Sequence, residues 1–235
     1  MKPKTPSRHL IRFLFTSWLL LGSLAAPLRA GDSYLAPHQL DGLALLPPPP
    51  ATNSSEYAAD LASVRAVFHA RTPAKELRAE TDASLSIFNF APAIGDFFNG
   101  ENFPKVEALF ETVQTNISET INLPKEHWNR LRPYQVDSTL KFGKPEKNAS
   151  YPSGHSTRGT VQALVLAELF PAQREAILEI GRNIGWDRVL LGKHFPTDVF
   201  AGRVLGQAIA RELMKSPAFQ RDLAEAKAEV QAAQK

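Results

Sequence analysis

A nucleophile and an acid to orient it are suggested by the segment Asp187-Arg-Val-Leu-Leu-Gly-Lys-His-Phe-Pro-Thr-Asp198. His194 and Asp198 are four positions apart around an expected helix start. At this spacing the carboxylate can accept a hydrogen bond from one ring nitrogen, which leaves a lone pair on the other nitrogen facing a site. Pairs at this spacing are also common as surface hydrogen bonds, so this pair alone decides nothing.

A second histidine lies in the segment Tyr151-Pro-Ser-Gly-His-Ser156, directly before an apolar helical pattern. Glycine lets the backbone approach a ligand closely, and the free amides at a helix N-terminus bind anions. Ser153 and Gly154 therefore form a candidate anion cradle, and His155 can meet whatever binds there. The alternative is an ordinary serine-capped helix start.

Three cationic side chains accompany these groups. Lys125 and Arg132 are seven residues apart, which places them on one helix face, and Pro133 favours a helix end directly after Arg132. Arg188 precedes His194 by six positions. A lysine and an arginine on one face are usually a solvated surface. With two histidines and an anion cradle, however, three cations suit phosphoryl transfer, in which catalysis is mostly positioning and neutralisation of oxygen charges.

The elements that must position these residues have helical apolar spacing almost throughout. The spacing predicts helices over 61–68, 106–117 and 161–169, and prolines at the first helical position predict helix starts at 196 and 217. Alternating strand patterns are essentially missing. We therefore predict an all-α, single-domain helical bundle over 56–235, preceded over 31–55 by an extended arm that contains four consecutive prolines.

The N-terminal residues 1–30 are typical of a cleaved secretory signal peptide. Four basic residues precede an apolar run over 13–28, and small residues stand near its end, with alanines at 25, 26 and 30. A membrane anchor is the alternative, but Pro27 and Arg29 end the run early. We expect an exported protein, periplasmic or secreted, and leave the exact cleavage site open.

Composition narrows the possible functions. Residues 31–235 contain 22 lysines and arginines against 24 acidic residues, so the chain has no excess of basic residues for binding nucleic acid. The chain has no cysteine, which excludes disulfides, a thiolate nucleophile and cysteine-based metal sites. After residue 30 the longest apolar stretch, 161–170, is too short to span a membrane and contains Glu168.

Taken together, the motifs are Lys-x6-Arg-Pro, Pro-Ser-Gly-His and Arg-x5-His-x3-Asp, in that order. This pattern resembles the signature of type 2 phosphatidic acid phosphatases, vanadium haloperoxidases and bacterial acid phosphatases. Segments 34–37, 43–50, 149–155, 164–168 and 216–220 are similar to the bacterial class A non-specific acid phosphatases. The resemblance covers nearly all of the chain after residue 30 and implies the helical bundle of the type 2 phosphatidic acid phosphatase and haloperoxidase type.

The resemblance also implies a role for each matching residue. His194 would attack phosphorus to form a phosphohistidine, Asp198 would fix its tautomer, and His155 would protonate the leaving group and then activate water. The phosphate-binding groups would be Lys125, Arg132, Arg188, the Ser153 hydroxyl and the Gly154 amide. No metal or other cofactor is expected. An acidic pH optimum is expected because His155 must start protonated and an unperturbed imidazole has a pKa of about 6.5.

One residue departs from the family pattern, because Asp187 precedes Arg188 where serine is usual. A carboxylate there would repel bound phosphate, so we expect Asp187 to contact Arg188 or another cation instead.

The expected partners are inorganic phosphate and small phosphate monoesters such as nucleotides, sugar phosphates and aryl phosphates. We expect no nucleic acid partner and no stable membrane insertion after signal cleavage, and leave self-association into a homo-oligomer open. The alternatives are a vanadium-dependent haloperoxidase with the same oxyanion site and a non-catalytic phosphate-binding protein.

Overall fold

Helices are the regular elements of residues 33–234, the part of the chain that the computed structural model describes. The predicted signal peptide therefore lies outside the described residues. Within this range the α-helices are α1 Gly42–Leu45, α2 Ser55–His69, α3 Pro73–Asp82, α4 Ala91–Ile94, α5 Pro104–Trp128, α6 Pro133–Val136, α7 Gly154–Leu169, α8 Arg174–Leu190, α9 Pro196–Lys215 and α10 Pro217–Ala233. Short 3₁₀ helices span Ile87–Phe90, Ser138–Leu140 and Pro171–Gln173.

The all-α prediction is confirmed, since residues 33–234 contain no strand. The predicted helix starts are also correct, because α9 begins at Pro196 and α10 begins at Pro217. Ser153 and Ser216 cap α7 and α10 by accepting hydrogen bonds from backbone amides three residues ahead. None of the helices in this range is both long and apolar enough to cross a membrane.

The centre of the bundle is α7, which packs most extensively against α8 and α9. Glycines allow the close approach: a Cβ at Gly181 would lie 2.4 Å from Cβ of Ala163, and one at Gly206 would lie 2.7 Å from the carbonyl oxygen of Thr157. Backbone bonds then join the helix ends, because the Ser153 amide donates to the Asp198 carbonyl oxygen at 2.9 Å. The start of α7 and the start of α9 consequently meet at one end of the bundle.

Within the segment predicted as an arm over 31–55, residues 33–54 run along the bundle and contain one helical turn, α1. Tyr34 and Leu46 are buried in the main core. The Tyr34 hydroxyl donates to Asp222 Oδ2 at 2.6 Å, and the Tyr151 hydroxyl donates to the Pro47 carbonyl oxygen at 2.7 Å. These contacts tie the segment to α10 and to the loop before α7.

Candidate active site

A cavity of about 210 Å³ lies where the end of α5, the start of α7 and the segment before α9 come together. Five of the predicted site residues line it: Lys125, Arg132, Gly154, His155 and His194. The other three, Ser153, Arg188 and Asp198, are buried. The predicted residues therefore share one end of the bundle, although they come from three separate stretches of the chain, 125–132, 153–155 and 188–198.

The orientation of His194 is set by contacts at both ring nitrogens, and the Ser150 hydroxyl also lies 3.4 Å from Nδ1. Nδ1 lies 3.2 Å from Oδ2 of Asp198, and Nε2 lies 3.2 Å from Nη1 of Arg132. A carboxylate oxygen accepts, so Nδ1 carries the hydrogen and the lone pair of Nε2 faces the Arg132 guanidinium. Burial and the charges of Arg132 and Lys125 lower the pKa of His194 well below its ordinary value. The ring is thus neutral.

Asp198 accepts three further hydrogen bonds. Its donors are Nη1 of Arg130 at 2.6 Å, the Ser150 hydroxyl at 2.5 Å and the Phe195 amide at 2.9 Å. Burial raises the pKa of Asp198, whereas Arg130 and the Ser150 hydroxyl act in the opposite direction. Together the donors hold the carboxylate in place beneath His194.

Sequence reasoning assigned no role to Arg130 or Ser150. Arg130 lies inside the motif that contains Lys125 and Arg132. A buried carboxylate such as Asp198 needs a cationic partner, and this requirement could have pointed to Arg130. Its Nη2 also donates to Oδ2 of Asp60 at 2.9 Å, which connects α2 to the site. No spacing in the sequence pointed to Ser150.

Lysine and arginine side chains that line the cavity are Lys125, Arg132 and, not predicted from the sequence, Arg158 of α7. Oxygen atoms of the loop before α7 orient the first two. Arg132 donates from Nε to the Asn148 carbonyl oxygen at 2.9 Å and from Nη2 to Asn148 Oδ1 at 2.6 Å. Lys125 donates from Nζ to the Ala149 carbonyl oxygen at 2.6 Å. Burial and the charge of Arg132 lower the pKa of Lys125 to about 7. The lysine charge therefore varies within the neutral pH range.

At the start of α7, Gly154 lines the cavity, whereas Ser153 is fully buried and acts as the helix cap. The Ser153 hydroxyl accepts from the Ser156 amide at 3.3 Å, and this bond leaves the hydroxyl hydrogen unused. A Cβ on Gly154 would lie 3.9 Å from Cε of Lys125 and 3.6 Å from Cγ2 of Ile121. A side chain at position 154 would consequently enter the cavity between these two residues.

An unpredicted carboxylate also lines the cavity. Arg188 donates from Nη2 to Oε1 of Glu146, and the Glu146 side chain is one-third exposed. The loop that carries Glu146 is held by Lys193, whose Nζ donates to the Lys144 carbonyl oxygen at 2.7 Å. Glu146 thus accepts a hydrogen bond from Arg188, a residue that the sequence analysis predicted to bind phosphate.

One ring nitrogen of His155 faces a backbone carbonyl instead of the cations that are predicted to bind phosphate. Its Nε2 lies 3.2 Å from the carbonyl oxygen of Ala83, an acceptor, so Nε2 carries a hydrogen and Nδ1 holds the lone pair of the neutral ring. Burial and the charge of Arg188 lower the pKa of His155 to about 3. The expected acidic optimum assumed an unperturbed imidazole, and the protein groups around His155 do not supply one.

Asp187 forms an ion pair with Arg78 on α3. The guanidinium donates from Nη2 to Oδ1 at 2.6 Å and from Nε to Oδ2 at 3.0 Å. The carboxylate of Asp187 therefore has a cationic partner, as expected, and this partner is Arg78.

Comparison with known proteins identifies the family. The PAP2 superfamily model matches residues 108–222, a range that includes all the predicted site residues. The chain is similar to the non-specific acid phosphatase of Providencia stuartii, at 33% identity over 200 residues, 81% of each chain. The chain belongs to the non-specific acid phosphatases of the PAP2 superfamily.

A second non-specific acid phosphatase, from Salmonella typhimurium, is 30% identical over 201 residues, which are 79% of this chain and 78% of that one. A solved transmembrane PAP2-type phosphatidylglycerolphosphate phosphatase from Bacillus subtilis is similar at a TM-score of 0.48 and 23% identity, covering 70% of this chain and 87% of that chain.

Proposed function

We propose that this non-specific acid phosphatase is exported and hydrolyses small phosphate monoesters through a phosphohistidine formed at Nε2 of His194. The observation that carries the proposal is the orientation of His194. Asp198 holds Nδ1 as a donor, which leaves the Nε2 lone pair beside the Arg132 guanidinium in the cavity. A histidine held in this way is a positioned, neutral nucleophile.

In the first step, the Nε2 lone pair attacks phosphorus and the bond to the leaving oxygen breaks. Lys125, Arg132 and Arg188 neutralise the equatorial oxygens, and the Ser153 hydroxyl and Gly154 amide donate to them. The alkoxide takes a proton from His155. Asp198 stabilises the positive charge that develops on the ring of His194.

In the second step, water attacks the phosphohistidine while His155, now neutral, accepts a proton from that water. The P–N bond breaks, its electron pair returns to Nε2 of His194, and inorganic phosphate is released. The pKa of His155, lowered to about 3 by the protein groups, must rise when a phosphate dianion lies beside the ring. Protonation of the leaving group therefore depends on the bound substrate.

The substrate class follows from the cavity. Its volume of about 210 Å³ accommodates a phosphate group and the first atoms of a leaving group, and its charged lining provides little selection among alcohols. Nucleotides, sugar phosphates and aryl phosphates are the proposed substrates. The predicted signal peptide over 1–30 supports export, so the proposed location of the mature protein is the periplasm or the medium outside the cell.

The mechanism is tested with aryl phosphate that carries a radiolabelled phosphoryl group. With p-nitrophenyl phosphate as this ester, we expect the His155→Ala variant to accumulate an acid-labile, base-stable phosphoprotein. Nitrophenolate leaves without protonation, whereas hydrolysis of the phosphohistidine by water is slowed. His194→Ala should neither become labelled nor turn over substrate. The exposed His127 on α5 provides the matched control, His127→Ala, with unchanged turnover.

Retained turnover by His194→Ala would contradict the proposal. Bromide oxidation after addition of vanadate, without monoester hydrolysis, would instead assign a haloperoxidase. Phosphate binding without turnover of any monoester would assign a binding protein. Export is tested separately, by fractionation of cells that express the full chain and N-terminal sequencing of the mature protein.

A further inference from the structure

We propose that Arg78 and Asp187 are positioning residues for His155: their ion pair holds the end of α3 against α8 so that the Ala83 carbonyl fixes which nitrogen of His155 exchanges the catalytic proton. The inference rests on the proposed function, because it concerns the protonation of the leaving group. Neither residue lines the cavity.

The ion pair is anchored at one end and exposed at the other. Asp187 is fully buried in the last turns of α8, next to Arg188, whereas the Arg78 side chain is 45% exposed on α3. The guanidinium meets both carboxylate oxygens, at 2.6 and 3.0 Å, in the bidentate geometry that fixes orientation as well as distance. The pair therefore sets the register of α3 on α8.

The end of α3 leads directly to His155. Helix α3 ends at Asp82, and the next residue, Ala83, presents the carbonyl oxygen that lies 3.2 Å from Nε2 of His155. This contact obliges Nε2 to carry a hydrogen, so Nδ1 is the atom that protonates the leaving group and later accepts a proton from water. A shift of α3 by about an ångström would remove the contact and free the ring to rotate.

A second buried acid, Asp82, lies close to the ion pair between Arg78 and Asp187. Asp82, at the end of α3, is buried close enough to Asp187 that burial and this neighbouring charge raise its pKa to about 7. Arg78 offsets the repulsion between the two acids. Without Arg78, the buried charge of Asp187 has no bidentate cation whether or not Asp82 is protonated, so we expect the end of α3 to move, and Ala83 with it.

Apolar packing should keep α3 folded against α8 even when the ion pair is removed. On the neighbouring face of α3, Ala79 is buried in one cluster with Leu190 and Leu191 at the end of α8. Removal of the ion pair therefore leaves α3 docked through this cluster while its register is released. Replacing Asp187 by serine, the residue usual in the family, would remove the repulsion and make Arg78 dispensable.

The test compares two substrates that differ in leaving group, p-nitrophenyl phosphate and an alkyl phosphate such as glycerol phosphate. Protonation matters much more for the alkoxide than for nitrophenolate. For Arg78→Ala we expect kcat/KM to fall at least tenfold with the alkyl ester and less than about threefold with the aryl ester. The double variant Arg78→Ala/Asp187→Ser should recover alkyl turnover to within about threefold of the natural chain.

The matched control is Arg65→Ala, which removes another partly exposed arginine from an aspartate, Asp137, at a similar distance of 2.6 Å. Arg65→Ala should leave kcat/KM unchanged for both substrates. Arg78→Lys keeps the charge without the bidentate geometry, so it should fold normally and still show a selective loss with the alkyl ester. Equal losses with both esters, or a double variant no better than Arg78→Ala, would overturn the proposal.

A readout independent of turnover is the tautomer of His155, observed by NMR of labelled imidazole nitrogens and assigned with His155→Gln. We expect hydrogen on Nε2 in the natural chain and a mixture of tautomers in Arg78→Ala. An unchanged tautomer in Arg78→Ala would also overturn the positioning role. Failure of the proposed function is distinguishable, because it would show as missing phosphohistidine in the His155→Ala variant.

Discussion

Nη1 of Arg130 lies 2.6 Å from Oδ1 of Asp198, and both side chains are almost completely buried. The bond joins the segment after α5 to the first turn of α9 and holds the carboxylate that orients His194. Because Nη2 of the same guanidinium bonds Asp60, one cation balances two buried acids.

Replacing Arg130 by methionine should be costly, because two buried carboxylates lose their cation. We expect a loss of about 3 kcal/mol in the free energy of unfolding. Without Arg130 the pKa of Asp198 rises further, so kcat should fall at least tenfold. Urea denaturation and steady-state kinetics measure both effects. The pair between Arg65 and Asp137 serves as a control, since Arg65→Met removes a more exposed arginine and should change the free energy of unfolding much less.

Glu146 should compete with phosphate for Arg188, because both are anions that need the same guanidinium. Glu146→Gln should therefore lower the inhibition constant for inorganic phosphate and the KM for monoesters by roughly fivefold, the equivalent of about 1 kcal/mol for a partly exposed pair. The exposed Glu126 on α5 provides the control Glu126→Gln. An unchanged inhibition constant would show that the carboxylate does not hinder binding.

Lys125 should contribute a pH dependence to substrate capture. Its pKa is lowered to about 7, so the ammonium is charged below that pH and loses its charge above it. We expect kcat/KM for p-nitrophenyl phosphate to decline as the pH rises through 7. Lys125→Arg should lack this decline, because guanidinium stays charged while the ionisation of the substrate is identical. Parallel profiles for the two proteins would exclude Lys125 as the titrating group.

His155 should destabilise the fold in acid. The unfolded chain binds a proton on this ring near pH 6.5, whereas the folded chain binds it only near pH 3. The free energy of unfolding therefore falls as the pH is lowered through this window. Between pH 6.5 and about pH 5, His155→Gln should lose roughly 1.5 kcal/mol less than the natural chain. Denaturation in phosphate-free buffers measures the difference, and His127→Gln should behave like the natural chain.

Gly202 should be essential for the anion cradle. A Cβ at this position of α9 would lie 2.6 Å from the carbonyl oxygen of Ser153, so the backbone that begins α7 would have to move. We expect Gly202→Ala to cost about 1–3 kcal/mol of stability and to weaken phosphate binding. At Gly100 the nearest atom, Oε2 of Glu107, would lie 3.4 Å from an added Cβ. Gly100→Ala should consequently bind phosphate normally.

The helical class and the helix starts at Pro196 and Pro217 could be predicted from the sequence, because apolar spacing and first-turn prolines act within a few residues. The same holds for the candidate site. His194 and Asp198 are one turn apart, and Ser153, Gly154 and His155 are consecutive, so their juxtaposition needs little of the rest of the fold.

The partners of these residues were decided by the tertiary structure. Arg130 meets Asp198, Glu146 meets Arg188, and Arg78 meets Asp187 across 68, 42 and 109 positions of the chain. No local pattern encodes such contacts, because they depend on how glycine-mediated packing brings the ends of α7, α8 and α9 together.

The ionisation of the site was decided in the same way. Sequence reasoning assigned His155 an ordinary pKa of about 6.5, whereas burial and Arg188 lower it to about 3. Desolvation and the field of neighbouring charges exist only in the folded chain. The sequence therefore predicted the groups that we propose to carry the chemistry, and the fold determined their protonation, their orientation and the carboxylates that surround them.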